Sequence, residues 1–182
     1  MKIIYKIFVT VFLLLQTTYM HADDPRVMVA IFESEDGNEE VAKKLSIICS
    51  EEVMRFKGVK YMSPTEFVKV VTGNEEIKVS EPVDLNKEYG PENLKYLQEM
   101  SHSSKGTLNS FFKAMNTADI LVGGEFKKDG ASIKVDLLMA RLDVDDSRQY
   151  EVTIETSEGS MDKMVGEKVG ELLEKINKPL NE

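Results

Sequence analysis

The sequence has no tryptophan, one cysteine and two histidines in 182 residues. With Cys49 alone, no disulfide can close within the chain, so the fold must rest on packing. His21 lies near the amino terminus and His102 in the middle of the chain, which leaves no multi-histidine metal site and argues against zinc catalysis. The missing tryptophan removes the commonest sugar-stacking platform. Positive charge is also short. With 23 Lys+Arg against 32 Asp+Glu the net charge is -9, so the chain lacks the footprint of a nucleic-acid binder. Only 11 Gly and 5 Pro exclude a collagenous or Pro/Gly-rich disordered chain, and there are no internal repeats. What is present, 42% hydrophobic and 30% charged residues, is the balance of an ordinary globular protein. A chain of this size buries roughly two thirds of its unfolded surface.

The first residues carry an address. Lys2 and Lys6 precede a nearly unbroken apolar run from Ile7 to Leu15, and Gln16, Thr17 and Thr18 follow. That is the order of a secretory signal. The stretch from Ile7 to Met20 falls short of the roughly 20 residues a helix needs to cross a bilayer, so no stable transmembrane span is expected after cleavage. A cut after Ala22 makes residues 1–22 a signal peptide and residues 23–182 a single domain. The cut removes two lysines and no acid, so the net charge moves from -9 to −11. No cysteine near the cut could carry a lipid. The expected location is periplasmic or exported.

The expected fold class is α/β (α+β), with a mixed sheet of about five strands. Arg26 to Phe32 is almost wholly apolar, as a strand buried on both faces would be. From Glu39 to Lys57 the apolar residues Val41, Leu45, Ile48, Cys49, Val53 and Phe56 recur at helical spacing, and Gly58 ends the helix. Val59 to Met62 reads as a second strand, followed by a helix capped by Ser63 with Pro64 in its first turn. This βαβ start implies parallel pairing and a right-handed crossover. Residues 73–91 read as an irregular, exposed insertion, and two helices are expected between Pro91 and Ala118. Asp119 to Phe126, the strand from Ala131 that follows a Lys127-to-Gly130 turn with its Asp-Gly pair, and Tyr150 to Glu155 form an antiparallel three-strand meander with one dry face. Met161, Met164, Val165, Val169, Leu172, Leu173 and Ile176 draw the stripe of a C-terminal helix.

Reactive chemistry is sparse. His102 sits between serines, but sequence neighbours rarely face one another usefully, and no Gly-x-Ser-x-Gly turn presents a nucleophile. Cys49 falls on an apolar helix stripe and reads as a core residue. The Gly123-Gly124 pair follows a strand with no helix after it, so it reads as a bulge or a close approach and not as a phosphate loop. Asp143, Asp145 and Asp146 are the metal candidates. Their spacing faintly resembles a calcium loop, although the required glycine is missing and a solvated turn is the simpler reading. No other cofactor is implied. Lys127 and Lys128 read as a solvated edge.

The Val27-to-Phe32 strand, the long helix, Tyr61-Met-Ser-Pro-Thr65 and Ala118-Asp-Ile-Leu-Val-Gly-Gly124 before a meander together resemble a known envelope domain. The order resembles the amino-terminal domain of TolB, its relative CsgG, and the lipoprotein activators of penicillin-binding proteins. The resemblance spans most of Val27 to Ile176. It implies a non-catalytic binding or assembly module acting on envelope proteins at the outer membrane, a secretion system or a surface appendage. No catalytic residue carries over. Leu94, Leu97, Phe111 and Phe112, on the paired helices, are the candidate partner face. Two alternatives stand beside this reading: a carboxylate-based hydrolase or small-ligand or calcium binder, and a homo-oligomeric structural subunit.

Overall fold

A computed structural model describes residues 24–34, 37–79, 81–91, 93, 117–141 and 148–178. The described elements follow in the order β1 (Arg26–Val29), β2 (Glu33–Ser34), α1 (Glu39–Arg55), β3 (Lys60–Met62), α2 (Pro64–Thr72), α3 (Leu85–Glu88), β4 (Ile120–Asp129), β5 (Ser132–Arg141), β6 (Gln149–Ser157) and α4 (Met161–Ile176). Across the sheet the strands run β3-β1-β4-β5-β6, with β2 also pairing with β4. β1 has parallel neighbours on both sides, whereas β4, β5 and β6 pair antiparallel. The mixed α+β architecture expected from the sequence is therefore the one that forms.

β1 is enclosed, and Val27, Met28 and Val29 are all buried. The apolar run does not, however, make one strand to Phe32. Ladder strand ends at Val29, Ala30 N–H still reaches Val122 O at 2.8 Å, and the chain rejoins β4 only at Glu33 and Ser34. Two serines of α1 serve this break. Ser46 Oγ accepts from Phe32 N–H at 3.3 Å and lies 3.2 Å from Ala30 O, to which it can donate, while Ser50 reaches the end of β1 through Tyr89. Buried hydroxyls thus satisfy backbone groups that have left the sheet ladder.

Local signals set the helix ends. Asn38 Oδ1 accepts from Val41 N–H at 3.2 Å, and Glu39 and Glu40 occupy the first turn of α1, where negative charge suits the helix dipole. α1 stops at Arg55, before the expected Lys57, and Gly58 takes φ 86 to turn the chain into β3. Ser63 Oγ accepts from Glu66 N–H at 3.1 Å, with Pro64 opening α2. At the far end of α4, Arg148 donates to Ile176 O at 2.9 Å, satisfying a carbonyl that has no partner within the helix.

α1 and α4 lie side by side on one face of the sheet. Val41, Leu45, Cys49 and Val53 of α1 and Met161, Val165, Val169 and Leu173 of α4 bury against Val122, Phe126, Val135, Leu137 and Met139. Met164 departs from the expected stripe. It is 38% exposed, because it sits on the flank of the row formed by Met161, Val165 and Val169. The crossover from β1 through α1 to β3 moves one way across the sheet, and the return from β3 to β4 moves the other way. Right-handed connections therefore place α2 on the opposite face, where Met28, Met62, Phe67 and Ala118 form a second, smaller core.

Candidate functional site

The pleat of the meander sorts its side chains into two sets. Ile133, Val135, Leu137 and Met139 point at α1 and α4, so Lys134, Asp136, Leu138 and Ala140 point the other way. On β6 the matching outer row is Gln149, Glu151, Thr153 and Glu155, and on β4 it is Leu121, Gly123 and Glu125. Together they border a groove of about 580 Å³ with Ala30, Ile31, Leu121, Gly123 and Leu138 in its lining and Glu33, Glu125, Asp136 and Glu151 around them. The combination is an aliphatic and backbone floor with a carboxylate rim.

The Gly123-Gly124 pair shapes this region from both sides. Pairing of β4 with β5 runs without interruption from Ile120↔Arg141 to Asp129↔Ser132, so the pair makes a close approach and not a bulge. A Cβ on Gly124 would stand 2.1 Å from Asp136 O and 3.1 Å from Phe32 Cε1. Phe32 fills that inner space instead. A Cβ on Gly123 would meet only the Ala30 methyl, at 3.3 Å. Along the outer rows, Asp136 accepts a hydrogen bond from the Thr153 hydroxyl and pairs with Lys134 at 3.6 Å. Such half-exposed pairs orient side chains and contribute little stability.

A second polar cluster is sealed inside. Tyr89 is fully buried, its hydroxyl 2.7 Å from Ser50 Oγ and donating to Val29 O at 3.0 Å. Among the described residues the Tyr61 hydroxyl is buried with no hydrogen-bond partner. Burial pushes the pKa values of both phenols up, and the nearby Tyr61 pushes that of Tyr89 further up. Glu88, 2% exposed, accepts from Thr65 N–H at 2.8 Å and so helps cap α2 from another segment. The irregular 73–91 stretch, expected to be exposed throughout, is therefore anchored at its end. The reason is that Tyr89 and Glu88 supply hydrogen bonds that β1 and α2 need. Sequence reading missed Ser50, Tyr61, Glu88 and Tyr89. The available signal was a large aromatic directly after a turn of helix capped by Asp84, which hinted at an anchor but not at its socket.

Cys49 is buried, and desolvation pushes its thiol pKa up, so it is a core residue and not a nucleophile. Lys127 and Lys128, expected in the turn, instead belong to β4, whose pairing with β5 runs on to Asp129; Lys127 is exposed and Lys128 forms an ion pair with Glu158. The metal candidates Asp143, Asp145 and Asp146, the partner-face candidates Leu94, Leu97, Phe111 and Phe112, His102 and the 1–22 segment lie outside the described residues. Among the described residues no cluster of three or more His, Cys, Asp or Glu could hold a metal ion, and no helix is long and apolar enough to cross a membrane.

No protein-family model matches the chain, and no curated protein matches it closely in sequence. Several solved structures are similar to it in outline. A PelC dodecamer from Paraburkholderia phytofirmans has TM-score 0.40 and 8% identity over 86% of this chain and 89% of that one. The lipoprotein GNA1162 from Neisseria meningitidis has TM-score 0.40 and 11% identity over 86% and 99%. The LpoB C-terminal domain from Salmonella enterica has TM-score 0.37 and 8% identity over 77% and 92%. These are loose likenesses, and the functional reading that follows rests on the residues of this chain.

Proposed function

We propose that this protein is a non-catalytic protein-binding or assembly module of a bacterial cell envelope, periplasmic or exported, with other envelope proteins as its partners. The observation that carries the reading is the outer face of β4, β5 and β6. Its aliphatic floor and carboxylate rim offer shape, backbone and charge to a polypeptide surface. The amino-terminal order of lysines, apolar run and small polar residues supports export. Two other groups that could have served chemistry, the Cys49 thiol and the Tyr89 phenol, are spent in the core, where burial holds both in their neutral forms.

The test is crosslinked capture of the tagged protein from its native envelope, set against a tag-only control and a Leu138→Glu variant. Leu138 lies on the groove and is only half-buried, so the charge should leave the thermal transition nearly unchanged. One stoichiometric envelope partner, lost with the variant, is the expected result. Recovery of the protein alone would defeat the reading, and recovery only with copies of itself would favour a homo-oligomeric subunit.

A further inference from the structure

The two edges of the sheet are unlike. β3 presents three residues, so it is protected by shortness. β6 presents nine, from Gln149 to Ser157, and pairs with β5 in unbroken register from Ser132↔Ser157 to Ala140↔Gln149. It therefore has neither a bulge nor a proline to spoil it as a template. The phase of its hydrogen bonds follows from one contact. Arg141 N–H donates to Arg148 O at 2.9 Å, and these residues are directly opposite in the register, so they are a hydrogen-bonded pair. Alternation then turns the N–H and C=O groups of Tyr150, Val152, Ile154 and Thr156 toward β5. Those of Gln149, Glu151, Thr153 and Glu155 point outward, and among the described residues no strand pairs with them. The side chains of the same four residues form the outer row beside the groove.

Charge decides what can pair there. A second copy laid antiparallel about Thr153 would set Glu151 against Glu155 twice, and displaced registers still bring glutamates close together. A strand carrying Lys or Arg at alternate positions would instead place cations opposite Glu151 and Glu155 while its backbone completes the ladder. We infer that the β6 edge binds an extended segment of a partner protein with basic residues at alternate positions, by adding that segment as a sixth member of the β3-β1-β4-β5-β6 ladder. This inference rests on the protein-binding reading above and deepens it by naming the recognised chemistry.

The probe is a seven-residue peptide alternating Lys and Val, compared with its Glu/Val counterpart, added to isotope-labelled protein while amide exchange is followed residue by residue. The basic peptide should slow exchange at Glu151, Thr153 and Glu155 and leave Tyr150, Val152 and Ile154 as they were. The acidic peptide should not bind. Thr153→Pro removes one outward donor at a position where an edge strand tolerates proline, and should weaken binding at least tenfold. The pair Glu151→Lys and Glu155→Lys, which leaves every backbone donor in place, should exchange the preference from basic to acidic peptide. Protection elsewhere, no binding, or an unchanged preference in the reversed-charge variant would overturn the inference. Concentration-dependent protection of the same amides in the free protein would overturn it in favour of a second copy. An envelope partner still captured by Thr153→Pro would keep the proposed function and remove the edge from it, whereas absence of any partner for the unaltered protein would remove the function itself.

Discussion

The two faces of the meander are made by the same strands yet obey different rules. On the helix side Ile133, Val135, Leu137 and Met139 are at most 1% exposed, and packing against α1 and α4 decides every residue. On the outer side Lys134, Asp136, Leu138 and Ala140 are half-buried or exposed, and the neighbours are carboxylates, a threonine hydroxyl and a shallow groove. The pleat therefore lets one ladder carry stability on one side and recognition on the other, with little conflict between them.

The sharpest way to break this contrast is to shorten adjacent leucines. Leu137→Ala should cost about 2–5 kcal/mol by denaturant unfolding, because it empties a sealed site, while Leu138→Ala should cost less than about 1.5 kcal/mol. Equal losses would mean that the outer face is packed as tightly as the core. The glycine pair asks the same question of the backbone. Gly124→Ala drives a methyl into Asp136 O and Phe32 and should cost about 1–3 kcal/mol, whereas Gly123→Ala needs only a small shift of the Ala30 methyl and should stay below about 1 kcal/mol. A reversed order would show that Ala30 cannot yield.

Alkaline pH probes the sealed side alone. Cys49, Tyr61 and Tyr89 all have folded-state pKa values raised by burial. Their stabilising contribution is therefore complete below the unfolded values and is lost as pH rises past them, from near pH 9 for the thiol and about 10 for the phenols. Each group that stays neutral only in the folded state steepens the loss by about 1.4 kcal/mol per pH unit. Urea midpoints at pH 8, 10 and 11, followed together with tyrosinate absorbance, should show ionisation of Tyr89 arriving with unfolding. Ionisation of Tyr89 in a protein that is still folded would contradict its sealed position. Tyr89→Phe should lessen the alkaline slope and cost about 1 kcal/mol at neutral pH through its lost hydrogen bonds.

The legible parts of this molecule are those with a local period or a local cap. Alternation in β5 and β6, the stripe on α1, the Ser63 and Gly58 boundaries and the positive φ at Gly130 of the Asp-Gly pair could be read because their causes lie within a few residues. The end of β1 at Val29 could not, since an apolar run does not say where pairing stops. Nor could the burial of Tyr89, whose partners Ser50 and Val29 are 39 and 60 residues away. The Gly124 approach is of the same kind, because Asp136 enters it only once β5 has folded back. The groove was likewise hidden: the outer rows of β4, β5 and β6 are separate short patterns until register aligns Gly123, Leu138 and Glu151.

By itself the sequence determined which residues could enter a sheet or a helix, where most elements begin, and that no disulfide holds them, because propensity, periodicity and capping act over one or two turns of chain. Only the tertiary structure decided that β6 is a long edge, that the outer face of the meander holds a groove, and that Tyr89 closes the core. Those properties depend on which distant segments become neighbours, and long-range pairing is chosen by the packing of the whole sheet and by the handedness of its crossovers.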